Sequence, residues 1–430
     1  MSAGGGGSGG LALRSWRDPV VVALAFMAMA SGFGQFGAVA ALGDVARHFG
    51  RVVHGDTIAS QAGLSGTELG VGLAVLRLAS AGGLPLTSLA DRLGRRPVLI
   101  VSCAVGLVFT MVAALSPGYW WFVVIFALGR PMLSATNAIA QVCAAEETSS
   151  ADRAKAVALI AGGYAVGSGL IAIIDSKWQA VLSFRGVFAL AAVPLVMVGL
   201  IRPRLVEPAR FTTERPDQRG VPVLGAIGPR YRRRLVVVSS LAFAVAVVTG
   251  PANSFIFVYA ENVLHMSGNE RALMVVVASI FGLCGLLLGR VVADRVGRRP
   301  TAALAMAAMA LTAILAYSGS RLGLLAGYEI AVLSAAVFAP AAGALANELF
   351  PTSVRASVAG WNVLASVAGA VVGLVVFGAV ADVGNRFGVG AAVTFLPVLL
   401  TTGLFALLPE TRGREPEELW PEGAAEESDG

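Results

Sequence analysis

The amino-acid sequence predicts an all-α integral membrane protein with twelve transmembrane helices in two related six-helix halves. Hydrophobic residues make up 56% of the 430-residue chain and charged residues 13%, and the mean hydropathy is +0.77. Twelve apolar stretches are long enough to cross a bilayer, and one charged loop motif occurs twice. So little polar surface could not coat the two or three soluble domains that this length would otherwise suggest.

Composition excludes several kinds of functional site. The three cysteines, Cys103, Cys143 and Cys284, lie in apolar stretches, and the chain has three histidines, so neither a disulfide framework nor a zinc site is expected. The sequence lacks a phosphate-binding loop, a nucleophile elbow and a metal-ligand cluster, so we expect no enzyme activity, metal or cofactor. The net charge of +6 comes from basic residues that alternate with apolar stretches. This pattern indicates membrane orientation and does not favour nucleic-acid binding.

The apolar stretches meet the length that a membrane-spanning helix requires. About 20 apolar residues at about 1.5 Å per residue cross the ~30 Å hydrocarbon layer. Each stretch must be helical, because an unclosed strand in lipid leaves its backbone donors and acceptors without partners. The predicted spans are 19–42, 68–88, 97–116, 119–142, 154–174, 183–201, 235–259, 271–291, 300–317, 323–345, 354–380 and 389–408.

The distribution of Lys and Arg among the connecting segments predicts the orientation of these helices. If both termini are cytoplasmic, the cytoplasmic segments carry 22 of these residues and the external loops carry 7. Cytoplasmic loops hold the excess of basic residues in membrane proteins. We therefore expect a multi-pass protein of the plasma membrane with both termini in the cytoplasm. The apolar run after Arg17 is too long for a signal peptide and is assigned to the first span.

Two charged motifs recur at one spacing and indicate an internal repeat. The sequence ADRLGRRP occupies 90–97, and ADRVGRRP follows 203 residues later at 293–300. Two glutamates and Arg153 follow the fourth span, and a glutamate and Arg355 follow the tenth, so these two arginines lie 202 residues apart. Internal repeats of this kind build many secondary transporters.

With these motifs, the chain resembles members of the major facilitator superfamily from its first span to its last. The doubled Asp-Arg-x-Gly-Arg-Arg loop is highly specific to that family, and the sequences at 348–355 and 409–413 are similar to its sugar-porter and organic-ion branches. Thr87 and Arg290 stand where the family pattern usually has glycine, which weakens the close helix crossing expected there. The resemblance implies two six-helix bundles that move a small-molecule substrate across the lipid bilayer, and we expect a monomer.

The spans also predict the domain organisation. A flexible cytoplasmic N-terminus covers 1–17, the N-terminal bundle 18–201, a basic cytoplasmic linker 202–234, the C-terminal bundle 235–408 and a cytoplasmic tail 409–430. The linker carries nine arginines against three acidic residues. It is either an amphipathic segment near the anionic leaflet or a solvated loop.

The resemblance assigns the charged loops to a latch between the two bundles. A carboxylate at the start of a helix is stabilised by the helix dipole and by free N–H donors. Asp91 is expected to face the start of the eleventh helix and Asp294 the start of the fifth, where hydroxyl side chains are natural caps (Thr352 and Ser353; Ser149 and Ser150). The other expected latch residues are Arg92, Gly94, Arg95, Arg96, Glu146, Glu147, Arg153, Arg295, Gly297, Arg298, Arg299, Glu348 and Arg355. Topology alone would also explain the arginines, but not the Asp and Gly.

Two arginines lie near the middle of predicted spans, Arg77 in the second and Arg130 in the fourth. A charge there costs at least ~2.5–3.5 kcal/mol, so each needs a partner or a function. The first span offers Arg130 no carboxylate, only the polar Gln35. Both arginines either bind an anionic substrate, such as a carboxylate or phosphate, or form a structural bridge to Glu329 or to backbone carbonyls.

Glu329 is the one carboxylate placed well inside a predicted span, so it is the candidate for proton coupling. The alternative is a hydrated glutamate that faces an external vestibule. Further candidate substrate-binding residues are polar side chains at cavity depth, and interhelical hydrogen bonding is the other explanation for them. They are Asn137, Tyr164, Asn253, Trp361 and Asn362.

These features predict a secondary active transporter that moves a small organic solute by alternating access and is coupled to protons. A drug or metabolite efflux antiporter of the same superfamily is the alternative. Such exporters usually carry a Gly-Pro pair in the fifth helix, whereas residues 163–169 contain no proline. A sensor or scaffold without transport activity is disfavoured, because a static protein does not need both latch loops.

Overall fold

The computed structural model describes residues 14–52, 57–207, 225, 227–384 and 386–414. Within these residues, twelve helices are long and apolar enough to cross a membrane, which confirms the predicted fold class. We number them α1 to α12: Pro19–Ala40, Gly66–Leu93, Arg95–Ala113, Tyr119–Glu147, Asp152–Trp178, Val181–Arg204, Pro229–Val263, Gly268–Val296, Arg298–Ala316, Arg321–Ala346, Ser357–Val383 and Phe387–Leu407. Two short helices, Leu42–Phe49 and Ile58–Ala62, connect α1 to α2.

Several helices extend past the predicted apolar spans because polar residues cap or continue their ends. Ser65 and Ser267 each form a capping box with a glutamate three residues later, so α2 and α8 begin in the same way. The Asp18 side chain accepts a hydrogen bond from the backbone N–H of Val20 at the start of α1. Hydropathy alone does not detect these ends, because the capping residues are polar.

The helical path is interrupted at three places in the first half, one of which is the turn at 190–191 inside α6. In α2, the turn at 81–82 separates Gly66–Ser80 from Gly83–Leu93, and Gly82 lies against the Pro131 ring of α4. Ser183 has a φ of 48°, a left-handed conformation that breaks the helical geometry near the start of α6.

The two halves share one internal packing arrangement, in which the first helix of each half packs closely on the fifth. A Cβ atom on Gly167 of α5 would lie 2.0 Å from the carbonyl oxygen of Met29 in α1. A Cβ atom on Gly373 of α11 would lie 2.4 Å from the carbonyl oxygen of Val247 in α7. Only glycine allows such backbone contact, which is the usual way that membrane helices pack tightly.

The structure has two distinct ends, which we call the arginine-loop face and the opposite face. The arginine-loop face carries the turns at Gly94 and Gly297, and the opposite face carries the starts of α2 and α8. At the opposite face, α2 packs against α11 from the other half, and a Cβ atom on Gly378 would lie 2.1 Å from the Gly66 carbonyl oxygen. The two halves are therefore in backbone contact at this face.

Parts of the predicted organisation lie outside the described residues. These parts are residues 1–13, most of the linker at 208–224, and the end of the tail at 415–430. The choice between an amphipathic and a solvated linker stays open. Six of the twelve helices precede the linker and six follow it.

Candidate functional site

Arg130 is buried in the first half and has neutral hydrogen-bond partners. Its side chain is 7% exposed. Its Nε donates to the Ser80 hydroxyl at 3.0 Å, and its Nη1 donates to the Gln35 backbone carbonyl at 2.5 Å. Ser80 is placed there by the end of the first segment of α2, just before the interruption beside Pro131. These contacts fix the guanidinium but leave its charge uncompensated.

The Gln35 side chain is positioned by α4 as well as by its own helix. Its Nε2 donates to the Ser31 hydroxyl at 2.8 Å, and Ser31 donates to the Leu133 carbonyl at 2.7 Å. The Ser134 hydroxyl donates to the Gln35 Oε1 at 3.4 Å. The sequence singled out Gln35 as the polar residue of the first span, and the structure places it directly against Arg130.

Arg77 is half-buried in α2 and lies close enough to Arg130 for the two charges to repel each other. The Tyr164 phenol of α5 is also within electrostatic range of Arg130. Among the described residues, no carboxylate forms an ion pair with either arginine. This arrangement of two cations and neutral donors can bind an anion, because Arg presents a planar fork that matches carboxylate and phosphate groups.

Glu329 lies in α10, is 6% exposed, and does not bridge to the arginines. Neither of its side-chain oxygens has a hydrogen-bond partner within the part of the chain that the structure describes. The structural bridge between an arginine and Glu329 is therefore not formed. A buried carboxylate without a donor is costly as an anion, so this site is suited to holding a proton.

The other predicted binding residues do not form a single cluster with the arginine pair. Asn137, on the same helix as Arg130, has a buried side-chain oxygen without a partner among the described residues. Asn253 lines a separate cavity of about 160 Å³ between α7, α9 and α10, and its Nδ2 donates to the Thr249 carbonyl at 2.9 Å. Asn362 accepts a hydrogen bond from Ser239 at 2.9 Å. These three amides lie at different places in the bundles.

Trp361 lies near the described part of the linker. Its indole nitrogen donates to the Gly225 carbonyl at 3.3 Å, and the residue is 40% exposed. This contact explains the position of the side chain without a substrate. Its role in substrate binding stays a prediction.

The repeated loops have the same geometry in both halves. Gly94 and Gly297 have φ values of 107° and 127°, a region that L side chains rarely adopt, so both turns require glycine. Arg95 forms an ion pair with Glu146, and Arg298 forms one with Glu348. The loop after the second helix of each half is thus tied to the end of the fourth helix.

Two further carboxylates complete these loops: Glu207, which the sequence analysis did not single out, and Glu410, which it gave only as part of the motif at 409–413. Glu207 accepts hydrogen bonds from the backbone N–H groups of Arg95 and Arg96 at 2.5 and 3.1 Å. Glu410 accepts the corresponding bonds from Arg298 and Arg299, both at 3.0 Å. Each carboxylate therefore caps the third helix of its half. The available signal was their spacing of 203 residues, which equals the spacing of the loops.

Glu410 also accepts hydrogen bonds from the backbone N–H groups of Thr411 and Arg412, at 3.0 Å each. Partial burial by itself raises the pKa of Glu410, but the four backbone donors outweigh burial and hold the pKa below its ordinary value. The carboxylate is therefore ionised at neutral pH.

Several expected latch residues have partners within their own half. Asp91 accepts a hydrogen bond from Arg95 at 3.1 Å, and Glu147 pairs with Arg14 at 2.8 Å. Arg92, Asp294 and Arg295 are exposed. The remaining two arginines donate to backbone carbonyls at the ends of nearby helices (Arg153 to Ala145, Arg355 to Phe350). The expected contacts of Asp91 and Asp294 across the two halves stay a prediction.

The sequence analysis did not single out two buried carboxylates near the ends of spans. Asp175 lies in α5 and is 0% exposed, and Glu261 lies at the end of α7 and is 5% exposed. The predicted spans ended at 174 and 259, just short of both residues. Both helices continue past these points, and the two carboxylates lie within three residues of the helix ends. The expectation for Glu329, which concerns the interior of a span, stays a prediction.

The doubled loops, the paired first and fifth helices and the twelve spans agree with the comparison to known protein families. The family model of the Major Facilitator Superfamily matches residues 24–292 and 252–427. The chain belongs to the Major Facilitator Superfamily. It is therefore a multi-pass membrane transporter, as the resemblance of the loop motifs predicted.

Two relatives are similar to this chain over most of their length. A protein of Cupriavidus pinatubonensis named as a 4-methylmuconolactone transporter is 28% identical over 369 residues, which cover 82% of this chain and 84% of the relative. A protein of Haemophilus influenzae named as a metabolite transport protein is 26% identical over 353 residues, covering 77% and 84%.

Solved structures with the same fold include sugar transporters. The xylose transporter XylE from E. coli, in an inward-open conformation, superposes with a TM-score of 0.73 at 16% identity, covering 94% of this chain and 99% of that protein. A D-xylose–proton symporter gives a TM-score of 0.70 at 17% identity, covering 93% and 100%. These likenesses establish the fold.

Proposed function

We propose that this protein is a secondary active transporter that carries a small organic anion across the plasma membrane by alternating access. The observation that carries the proposal is the pair Arg77 and Arg130, which lies inside the membrane without a counter-charge among the described residues. Two adjacent guanidinium groups repel each other, and an anion bound between them removes that cost. A transported carboxylate is the simplest ligand of this kind.

The arginine pair would bind the carboxylate, and neighbouring polar groups would orient the rest of the substrate. Tyr164 and Asn137 are the hydrogen-bonding candidates in the first half, and Gln35 holds Arg130 in place. Asn253, Trp361 and Asn362 would face the substrate from the second half in another conformation. The relatives named for 4-methylmuconolactone and metabolite transport support a small organic substrate.

The excess of basic residues supports a cytoplasmic position for the arginine-loop face and for both termini. The backbone contact of Gly66 with Gly378 then closes the external side, so the structure corresponds to a state that is closed to the outside. In the alternate state, Asp91 and Asp294 would cap the starts of α11 and α5 across the halves.

Glu329 is the proposed proton-coupling residue. It is buried, and within the described residues its carboxylate accepts no hydrogen bond. Binding a proton removes the cost of burying the charge, and exposure to water in another state would release it. The fold shared with a protein named as a D-xylose–proton symporter supports symport as the mode of coupling.

The experiment is a thermal-shift screen of small organic carboxylates and uncharged solutes on the purified protein. We expect a carboxylate to stabilise the wild type and to lose its effect on Arg130→Gln and Arg77→Gln. Arg290→Gln is the matched control. This substitution removes the same charge from an exposed arginine near the end of α8, elsewhere in the membrane region. Stabilisation by large organic cations that persists in both site variants would contradict the proposal and favour the efflux antiporter.

A further inference from the structure

A cluster of five charged residues, three of them buried, lies at the opposite face, where the two halves meet. Arg47 of the short helix Leu42–Phe49 forms an ion pair with Glu261 of α7 across the halves. Arg271 of α8 donates to the same carboxylate at 2.6 Å. Asp44 and Asp175, both from the first half, lie within electrostatic range of the two arginines. We call these five residues the gate cluster.

The gate cluster carries one more negative charge than positive when every member is ionised, because it has three carboxylates and two guanidinium groups. Glu261, Arg271 and Asp175 are each 5% exposed or less, so water does not compensate this surplus. An uncompensated buried charge costs several kcal/mol. Among the described residues, no group of side chains could hold a metal ion. A proton on one of the three carboxylates would balance the charges of these five residues.

The hydrogen bonds identify which carboxylate takes the proton. Glu261 contacts both arginines. Asp44 accepts a hydrogen bond from the backbone N–H of Phe184 at 2.5 Å, near the start of α6, where an anion is favoured. Asp175 is 0% exposed, and within the described residues neither of its oxygens has a hydrogen-bond partner. Asp175 is thus the member least stabilised as an anion.

We infer that Asp175 binds a proton when the opposite face closes and releases it when that face opens. The closed gate buries Asp175 at the contact between α5 and α8, where a Cβ atom on Gly268 would lie 1.9 Å from the Ser176 carbonyl oxygen. When the halves separate, Glu261 and Arg271 stay paired in the second half, and the pair has no net charge. Asp44, Arg47 and Asp175 stay in the first half, now in contact with water.

This proton does not cross the membrane. Asp175 is buried at the opposite face in the closed state, and it takes up and returns its proton on that same side. Asp175 therefore differs from the proposed coupling site at Glu329. Its protonation changes only the ratio of the closed to the open population of the gate. The closed state binds one more proton, so a fall in pH on that side increases the closed population.

The other titratable groups near the cluster allow a controlled test. His48 is exposed, and its ring packs edge-on against Phe49 and Phe184. Lys177 is also exposed and lies two residues after Asp175. His48 and His265 are the described histidines, and Glu329 is the proton-binding site proposed above, so these three residues are the rivals for any pH effect.

The test measures the gate distance by electron–electron double resonance in lipid nanodiscs, without substrate, between pH 5.5 and 8. Spin labels are attached at Gly118→Cys and Leu322→Cys, at the starts of α4 and α10 in the two halves, in a Cys284→Ser background. A Cβ atom at Gly118 meets no neighbour, and Leu322 is 77% exposed. We expect the ratio of closed to open gate to rise as pH falls, by at most about tenfold per pH unit for one proton.

All variants are measured in a Glu329→Gln background, which removes the coupling proton proposed above. There, Asp175→Asn mimics the protonated side chain, so the closed-to-open ratio of this variant should not change with pH and should equal the ratio of the parent at low pH. Asp175→Glu should keep a pH dependence, and His48→Gln should behave like the parent. The inference is overturned if the parent shows no pH dependence, if Asp175→Asn retains it, or if His48→Gln or Asp44→Asn abolishes it. None of these outcomes depends on the substrate proposed above.

Discussion

Glu207 and Glu410 lie 203 residues apart and cap the same helix of the two halves. Glu207 accepts hydrogen bonds from the first two backbone N–H groups of α3, and Glu410 accepts the equivalent pair of α9. Each glutamate follows the last helix of its half. The cap therefore ties the end of each bundle to its repeated loop.

The Glu410 cap should contribute to stability in a pH-dependent way. Because backbone donors hold the pKa of Glu410 below its ordinary value, its stabilising effect is present above the unfolded pKa of about 4.3 and is lost as pH falls through the folded pKa. Glu410→Gln should lower the free energy of unfolding by about 1 kcal/mol at pH 7, with the difference disappearing in acid.

Thermal unfolding of the detergent-solubilised protein at pH 7 and pH 2.5 measures this effect. Arg414→Gln, which changes an exposed charge four residues later, is the control and should leave the melting temperature within error. An equal loss of stability at both pH values would show that the carboxylate charge is unimportant.

The ion pair of Arg95 with Glu146 should be energetically coupled. The Arg95 and Glu146 side chains are 12% and 24% exposed, so solvent screens them only partly. We expect a double-mutant cycle with Arg95→Gln and Glu146→Gln to give a coupling of about 1 kcal/mol. The exposed pair of Lys155 with Asp152 is the comparison and should give about 0.3–0.5 kcal/mol. Equal coupling energies for the two pairs would contradict a structural role of the loop.

Asp382 should hold the opposite face closed. Its carboxylate at the end of α11 accepts hydrogen bonds at 2.7 Å from the backbone N–H groups of Gly66 and Thr67 at the start of α2, in the other half. Loss of a helix cap costs about 1–2 kcal/mol, which corresponds to about 5–30-fold in a population. Asp382→Ala should lower the closed-to-open ratio by this factor.

The measurement is the distance between labels at Gly118→Cys and Leu322→Cys. Asp382→Asn keeps one acceptor oxygen and should lie between the wild type and the alanine variant. An unchanged distance distribution in Asp382→Ala would show that the gate does not depend on this cap.

Gly378 should be required for closure because the backbones touch there. A Cβ atom on this residue would lie 2.1 Å from the Gly66 carbonyl oxygen, so Gly378→Ala forces α2 and α11 apart. Such overpacking costs about 1–3 kcal/mol, so we expect the population of the open state to rise and that of the closed state to fall.

Gly343→Ala in α10 is the matched control, since a Cβ atom there meets no neighbour. The spin-label distances should be those of the wild type in this control and longer in Gly378→Ala. A normal closed population in Gly378→Ala would mean that the helices adjust without cost.

The sequence predicted the twelve spans and the repeat because both follow from constraints that act along the chain. Hydrocarbon thickness fixes the length of apolar stretches, and the two loops recur with their charges intact. Arg77, Arg130 and Gln35 could be selected because polar residues are rare inside spans. Their lack of an acidic partner was also visible, since the first span holds no carboxylate.

The remaining features depend on how the helices assemble. Asp175 was missed because it lies at the edge of an apolar stretch, and its burial comes from α8 and the short helix Leu42–Phe49 packing around it. The Asp382 cap joins residues more than 300 positions apart, and no local pattern indicates the partner. Asn253 and Asn362 have the residue type of a binding site, but hydrogen bonds to Thr249 and Ser239 account for their placement here.

The most direct test of the account compares the affinity for a small organic carboxylate with the affinity for its uncharged amide. Isothermal titration calorimetry on the purified protein should give at least about tenfold tighter binding of the carboxylate, because a hydrogen bond to a charged group is worth about 1.5–3 kcal/mol. Arg130→Gln and Arg77→Gln should each remove this preference, and Arg290→Gln should keep it. Equal affinities for the acid and the amide, or an unchanged preference in both site variants, would contradict the central claim.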